Sequence, residues 1–402
     1  CCESRIDARV MTARLRVNLR HMQTAAAGGA LVLGSKRFMC TRPCVYVSHS
    51  RDVLFNLAWE DFVFRTMPID TPACFLYVNE PCIVVGRNQN LWNEVDPHAM
   101  RANHVPVVRR LSGGGAVYHD SGNMNFSFHT SKTNFMRATH TDLITRALSA
   151  PPIALPSRFG RAPVFRTERN DLAVLDVGAT DASDAYVRKV SGSAYKLANR
   201  RAYHHGTLLL AADLQRMSML KQRRTHIESK AVASVPSPVA NLVDTFPAHA
   251  QRLTWPNLVD AIHAEFERTY GSSKRIDVDN SFLDAQASDG RRDVCVRTRY
   301  EEMRGWDWLY GSSPPFTVRV STQDVPFSDV DDVHVAVSLH LSCVHGIIEH
   351  VDVCSSDTRV AEAAHALAGA PYDTVACAPP SCVLPRNWNI DNRLREWLAR
   401  AL

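Results

Sequence analysis

Between Val107 and Thr130 the chain reads VVRRLSGGGAVYHDSGNMNFSFHT, and this stretch limits the possible folds more than any other. The runs VPVVRR and AVYH are short and β-branched, and in MNFSFH the apolar Met124, Phe126 and Phe128 alternate with Asn125, Ser127 and His129. Each predicts a strand. The glycines 113–115 and the Asp-Ser-Gly-Asn segment at 120–123 predict the turns between them. Whether the glycines also hold a ligand is open at this level. Neither G-x-x-x-x-G-K-[ST] nor G-x-G-x-x-G is present here, and glycine content alone favours a tight turn. The flanks point the other way. If Arg109 and Arg110 continue the strand, they face opposite sides, one into a pocket as a phosphate clamp and the other into solvent.

Outward from this centre, apolar spacing in DVLFNLAWEDFVFRTM predicts a helix, and CFLYVNEPCIVVG two strands around a turn at Asn79–Pro81. THTDLITRALSA reads as a helix. DLAVLDV, AYVRKVSGSAY and RAYHHGTLLL read as strands, the last two joined by a turn at LANRR. WPNLVDAIHAEFERTYG is a helix that Gly271 suits as a C-terminal cap. Composition then shifts to the polar DNSFLDAQASDGRRD. Beyond it come a hairpin turning at His345 and Gly346 and two helices, TRVAEAAHALAG and DNRLREWLARAL. These elements predict an α/β chain with a main domain over 51–277, a linker over 278–305 and a smaller α/β domain over 306–402. The length of 402 residues, 45% of them hydrophobic, suits two cores.

The formal charge of +5 raises the question of a nucleic-acid partner, but the first 51 residues carry nine Lys/Arg against two Asp/Glu. From Ala8 to Arg51 there is no acidic residue, so the remaining body is near neutral and predicts no nucleic-acid partner. An Arg-rich, acid-free segment over 1–50 predicts a mitochondrial or plastid transit peptide, with Met11 a candidate start. Its rival is AAAGGALVLG, read as the short apolar core of a secretory signal. No apolar run reaches the roughly 18 residues that a membrane span needs. The eleven cysteines are scattered without a C-x-x-C pair, which fits a reduced compartment.

RRLSGGGAVYHDSGNMNFSF resembles the signature of the lipoate-protein ligase A and lipoyltransferase family. VVGRNQNLWNEV, NDL, KVSGSAYK, HHGTLLL, SVPSPVANL and WDWLYGSSPPF follow in the family's order, covering about residues 52–320. The resemblance implies a biotin/lipoate-protein ligase-like catalytic domain of mixed β-sheets flanked by helices, with a small C-terminal α/β accessory domain. It implies a chemistry in which ATP and Mg²⁺ activate lipoate to lipoyl-AMP and the lipoyl group then passes to a lysine amine. Two anions must meet in such a site, so a cation is required to offset their repulsion. Lys189 of the Lys-Val-Ser-Gly motif is the catalytic candidate, a compact charge with three donors.

Carried over residue by residue, Arg110 contacts phosphate, and Gly115, Ala116, Val117 and Tyr118 form the nucleotide stretch. Ser112, Gly113 and Gly114 line a lipoyl tunnel. Asn125 and Asp171 lie near the adenylate and its metal, Asp171 having the alternative of capping a turn. Gly192 and His205 complete the set. His204 and His205 face opposite sides of a strand and lack a partner at zinc spacing, so lining or packing is expected of them. The alternation of Trp306, Trp308 and Tyr310 predicts core burial. The implied partners are apo lipoyl domains of 2-oxoacid dehydrogenase E2 subunits and the glycine-cleavage H protein, met in mitochondria by a monomeric enzyme. Two activities stay open: a ligase that activates lipoate, and a lipoyltransferase that takes lipoyl-adenylate or a lipoylated carrier protein. No cysteine lies between Cys82 and Cys295 to hold a thioester as octanoyltransferases do.

Overall fold

The computed structural model describes residues 37–38, 42–96, 102–220, 226–287, 294–323, 336–376 and 397. Most of the basic leader and all of the C-terminal helix foreseen at 391–402 except Trp397 lie outside them. In chain order the strands begin with β1 (Arg37–Phe38) and β2 (Cys44–Ser48). Helix α1 (Val53–Thr66), β3 (Ala73–Val78), β4 (Cys82–Val85) and the single turn α2 (Leu91–Glu94) follow. The glycine region supplies β5 (Val107–Arg109), β6 (Val117–His119) and β7 (Asn123–Ser131). After α3 (Arg137–Ser149) come β8 (Phe165–Arg166), β9 (Leu172–Leu175), β10 (Val187–Ser191), β11 (Ser193–Ala198) and β12 (Arg201–Leu209). The second half holds β13 (Ile227–Ser229), α4 (Leu242–Thr245), α5 (Trp255–Tyr270), β14 (Lys274–Val278), β15 (Gln286–Ala287), α6 (Val296–Arg304) and α7 (Trp306–Leu309). It ends with β16 (Phe316–Ser321), β17 (Val337–Val344), β18 (Ile347–Ser355), α8 (Thr358–His365) and α9 (Tyr372–Ala376).

The scaffold is a six-stranded sheet in the order β11-β12-β7-β3-β2-β14, antiparallel from β11 to β3 and parallel from β3 to β14. In its middle strands alternate side chains serve two cores. Val45, Val47, Cys74 and Leu76 pack against α3 and α5, while Cys44, Tyr46, Phe75 and Tyr77 pack against α1. A sheet covered on both faces needs near-continuous apolar strands, which is why CVYVS and ACFLYV carry so little polar alternation. Residues 44–48 therefore belong to the folded core. This corrects the leader boundary at residue 50, which charge balance alone could not locate.

The two strands around Asn79–Pro81 form as expected but enter different sheets, because β4 pairs with β5 and β6 in a separate three-stranded sheet. That small sheet shares one apolar core with the four-stranded sheet β13-β16-β17-β18 and with α8 and α9. The accessory region is thus packed onto the glycine region, and β13 crosses into its sheet from the main half. Nor is 278–305 a bare linker: α6 ties back to α1 through Arg299 Nε to Asp61 Oδ2 at 2.9 Å and Tyr300 OH to Asp52 Oδ2 at 2.9 Å. Asp279 Oδ1 accepts from Ser281 N at 2.9 Å and Asp284 pairs with Arg297, so polarity did not mean absence of structure. Asn199 and Arg200, with φ of 50° and 65°, close the β11–β12 hairpin, and His345 and Gly346 close β17–β18 in the same left-handed region. No helix among the described residues is long and apolar enough to cross a membrane. Cys74, Cys82, Cys295, Cys343 and Cys354 are free thiols, whereas Cys44 is disulfide-bonded, an exception to the reduced state expected of the scattered cysteines.

Candidate active site

The expectation that one arginine of the pair would be solvated fails, since Arg109 and Arg110 are both buried. Arg109 reaches into the C-terminal half: its guanidinium donates to Leu309 O at 2.9 Å, Ser313 Oγ at 3.0 Å and Gln89 O at 2.8 Å. Its own carbonyl accepts from Trp308 Nε1 at 2.8 Å. Trp306, Trp308 and Tyr310 lie on and after the short helix α7 rather than along a strand. Trp308 is buried, and Tyr310 stacks on Trp92 at 5.6 Å.

Arg110 holds the glycine loop itself. Nε donates to Ser112 Oγ at 2.9 Å, Nη1 to Val84 O at 3.1 Å, and Nη2 to Gly113 O and Gly115 O at 2.6 and 2.7 Å. Burial pushes the guanidinium down to about 10, so it stays charged near neutrality. Gly114 has φ of +86°, a region side chains avoid, and a Cβ on Gly115 would stand 2.9 Å from Ser234 Oγ. The glycines therefore serve both turn geometry and close approach. Ser234 Oγ in turn accepts from Ala116 N at 2.9 Å and Gln89 Nε2 at 3.1 Å and donates to Glu94.

Beneath the loop, Ser112 Oγ lies 2.7 Å from His205 Nε2, and His205 Nδ1 lies 2.9 Å from Glu60 Oε1. Burial alone would raise the Glu60 carboxyl, but His205, by charge and hydrogen bond, holds it below its ordinary value. Glu60 sits mid-helix in the apolar run LAWEDFVF. Its signal was a carboxylate where the pattern wanted an apolar residue.

A cavity of about 320 Å³ opens beside this network. Its buried half is lined by Leu57, Tyr77, Val84, His119 and Asn125, and its outer half by Arg169, Asp171, Lys189 and the 232–237 segment. Lys189 Nζ and Asp171 Oδ2 are 2.9 Å apart. Strand β10 is clamped at this point: Lys189 N donates to Pro238 O at 2.9 Å, and Lys189 O accepts from Ala240 N at 3.1 Å. Asp171 follows a tight turn with Asn170 at φ 60°, so its backbone closes the turn while its side chain meets Lys189.

Of the foreseen residues, Arg110, Gly114, Gly115, Ala116, Val117, Asn125, Asp171, Lys189, Gly192 and His205 border the cavity. Ser112 and Gly113 do not. Ser112 braces Arg110 and His205 from behind, and Gly113 offers its carbonyl to Arg110. Tyr118 also departs from the expectation: alternation along β6 turns Val117 and His119 to the cavity and Tyr118 into the core shared with the C-terminal sheet. His204 faces away from His205, as two strand neighbours must, against Phe126 and His140. No group of three or more His, Cys, Asp or Glu suited to a metal occurs among the described residues. Asp171 is the only carboxylate among the described residues that line the cavity.

Mixed sheets flanked by helices around such a cavity define the class: this is the fold of lipoate-protein ligases. The lipoate complex of LipL1 from P. falciparum matches with a TM-score of 0.51 and 23% identity over 82% of this chain and 90% of that one. Residues 52–267 match the family model described as the lipoyl protein ligase A/B catalytic domain. The chain is 33% identical to the mitochondrial lipoyl amidotransferase LIPT1 of Mus musculus over 79% of its own length and 77% of that protein, and 32% identical to the Homo sapiens counterpart over 77% and 75%. The chain belongs to the lipoate-protein ligase and lipoyltransferase family of enzymes.

Proposed function

We propose that the protein transfers a lipoyl group to the ε-amine of a lysine on an acceptor protein, taking it from preformed lipoyl-adenylate or from a lipoylated carrier protein without activating free lipoate. The observation that carries this reading is the Lys189–Asp171 pair at the outer half of a cavity whose inner half is buried. The acceptor amine attacks the lipoyl carbonyl, a C–N bond forms, and an electron pair moves to oxygen. The Lys189 ammonium offsets that charge, and Asp171 Oδ2, 2.9 Å away, aims it. Collapse breaks the bond from the carbonyl carbon to the leaving group, AMP or the carrier's lysine amine, and the proton lost by the new amide nitrogen passes to that leaving group or to water.

A preactivated donor suits the cations on hand. Arg110 and the Ala116 N–H are held by protein oxygens within the glycine loop, so the cations offered at the outer half of the cavity are Lys189, with Asp171 as its partner, and Arg169, enough for a carbonyl and one phosphate. Activation of free lipoate by ATP is the second reading. Asp171 favours it, since Mg²⁺ is usually held by one or two carboxylates beside substrate phosphates. The family and the basic leader support lipoyl domains of 2-oxoacid dehydrogenase E2 subunits as acceptors, the glycine-cleavage H protein as acceptor or carrier, and a mitochondrial setting. The test presents an apo lipoyl domain with lipoyl-adenylate, with lipoylated H protein, or with lipoate, ATP and Mg²⁺. Modification in the first two reactions and none in the third is expected; equal rates in the third would replace this reading with the ligase.

A further inference from the structure

Strand β11 ends the six-stranded sheet, and no strand among the described residues pairs with its outer edge. Gly192 O accepts from Thr207 N at 2.9 Å, and the antiparallel ladder alternates from there. Ala194, Lys196 and Ala198 therefore turn their backbone groups to β12, whereas Tyr195 and Leu197 turn theirs outward, unpaired among the described residues. The side chains of these two are exposed as well, by 45% and 43%. Phe135, 5.8 Å from the Tyr195 ring, and Met136, 62% exposed, extend the apolar surface. Open edges are usually blunted by charge, proline or a covering element, and this one presents an apolar pair instead. Cations flank it. Arg137 lies 5.2 Å over the Tyr195 ring, and exposed Arg200 closes the hairpin; neither meets a carboxylate among the described residues. The strand also leads to the site: Gly192, Ser193 and Ala194 line the cavity, and Ser193 Oγ donates to Asn170 O at 3.4 Å, next to Asp171.

We infer that the free edge of β11 docks the acceptor protein by pairing with one of its strands, an acidic one, and so leads the acceptor's lysine to the cavity beside Lys189. The N–H and C=O groups of Tyr195 and Leu197 supply the pairing, and their side chains supply apolar contact. Arg137 and Arg200 supply the preference for carboxylates. A strand advances about 3.3 Å per residue, so a partner residue opposite Ser193, at the cavity, lies only roughly 7 Å beyond one opposite Tyr195. A second copy of the chain fits less well, because residues 193–201 hold no acid to answer the two arginines. The inference rests on the proposed transfer to an acceptor lysine, but not on which donor supplies the lipoyl group.

The experiment uses the full chain and an apo lipoyl domain as acceptor. Hydrogen exchange of the wild type should show the Tyr195 and Leu197 amides slowed at saturating domain, while those of Ala194 and Lys196, already paired with β12, change little. Leu197→Pro removes an outward N–H and leaves the ladder to β12 in place. In transfer from lipoyl-adenylate its KM for the domain should rise about ten-fold, the size of one or two lost backbone hydrogen bonds, with the loss in KM rather than kcat. Leu197→Ala, which keeps the N–H, should raise KM less, and Arg200→Glu should raise it by repelling the acidic strand. Amides that are not slowed at saturation, or a wild-type KM in Leu197→Pro, would overturn the inference. A wild-type KM in Arg200→Glu would overturn the acidic character of the partner strand. Slowing of the same amides by rising protein concentration, without the domain, would assign the edge to a second copy instead. The exchange measurement stands even if a variant does not fold. Absence of transfer by the wild type would contradict the proposed function, whereas the amides report docking in either case.

Discussion

Four buried imidazoles among the described residues are held neutral, and that predicts a steep loss of stability in mild acid. Burial pushes His119, His129 and His140 down to about 3, 4 and 3, and His204 well below its ordinary range. In the unfolded chain each protonates near pH 6.5. Their folded values lie below the unfolded one, so as pH falls under about 6.5 the unfolded state binds protons that the fold refuses. Each such group contributes about 1.4 kcal/mol per pH unit, and four together about 5 kcal/mol per unit near pH 5. Whole-domain stabilities are about 5–15 kcal/mol. Glu60 acts in the same direction at lower pH, because its depressed carboxyl stabilises above the unfolded carboxylate range and is lost on protonation. Unfolding is therefore expected to complete within about two pH units below 6.5. Urea midpoints from pH 8 to 5, with proton uptake measured in buffers of different ionisation heat, should show uptake rising from near zero at pH 8 to about four protons per chain unfolded near pH 5. His140 offers an internal control. Its ring stacks on Phe128 at 4.9 Å and His204 at 5.5 Å, and its Nδ1 has no partner, so His140→Phe should keep the packing and lower the slope by about a quarter. A flat profile between pH 7 and 5, or an unchanged slope in His140→Phe, would refute the reasoning.

Two further perturbations separate scaffold from site. Arg109→Met strips Leu309 O, Ser313 Oγ and Gln89 O of the guanidinium N–H groups they accept from and should cost on the order of 3–5 kcal/mol in denaturant titrations. Gly115→Ala puts a methyl 2.9 Å from Ser234 Oγ and 3.3 Å from its Cα, so the 232–237 segment must move; kcat/KM should fall about ten- to a hundred-fold with little change in melting temperature.

What the sequence made legible was local. The helices α1, α3 and α5, the Gly271 cap and both two-residue hairpins follow from spacing and turn chemistry, which neighbouring residues decide. The sheet to which a strand belongs is not local: β3 and β4 are separated by three residues yet serve different sheets. The same holds for the site. Family motifs led to Lys189, Asp171 and the glycine loop, but Glu60 and His205 stand 145 residues apart in sequence and meet only across the sheet and α1. Tyr118 turns into the core and His119, to which the motif gave no role, lines the cavity, because a motif cannot show which face of β6 meets it. Asn56 and Asn79 carried no motif at all, and only their bonds to one another and to His119 reveal them.

The central claim is that Lys189 offsets the charge that develops on the lipoyl carbonyl during transfer to a lysine amine. Its most direct test follows the mass of an apo lipoyl domain supplied with lipoyl-adenylate and either the wild type or Lys189→Ala. The wild type should add one lipoyl group per domain, and Lys189→Ala, with an unchanged melting temperature, should be slower by about a hundred-fold or more. Transfer by Lys189→Ala at the wild-type rate would contradict the account.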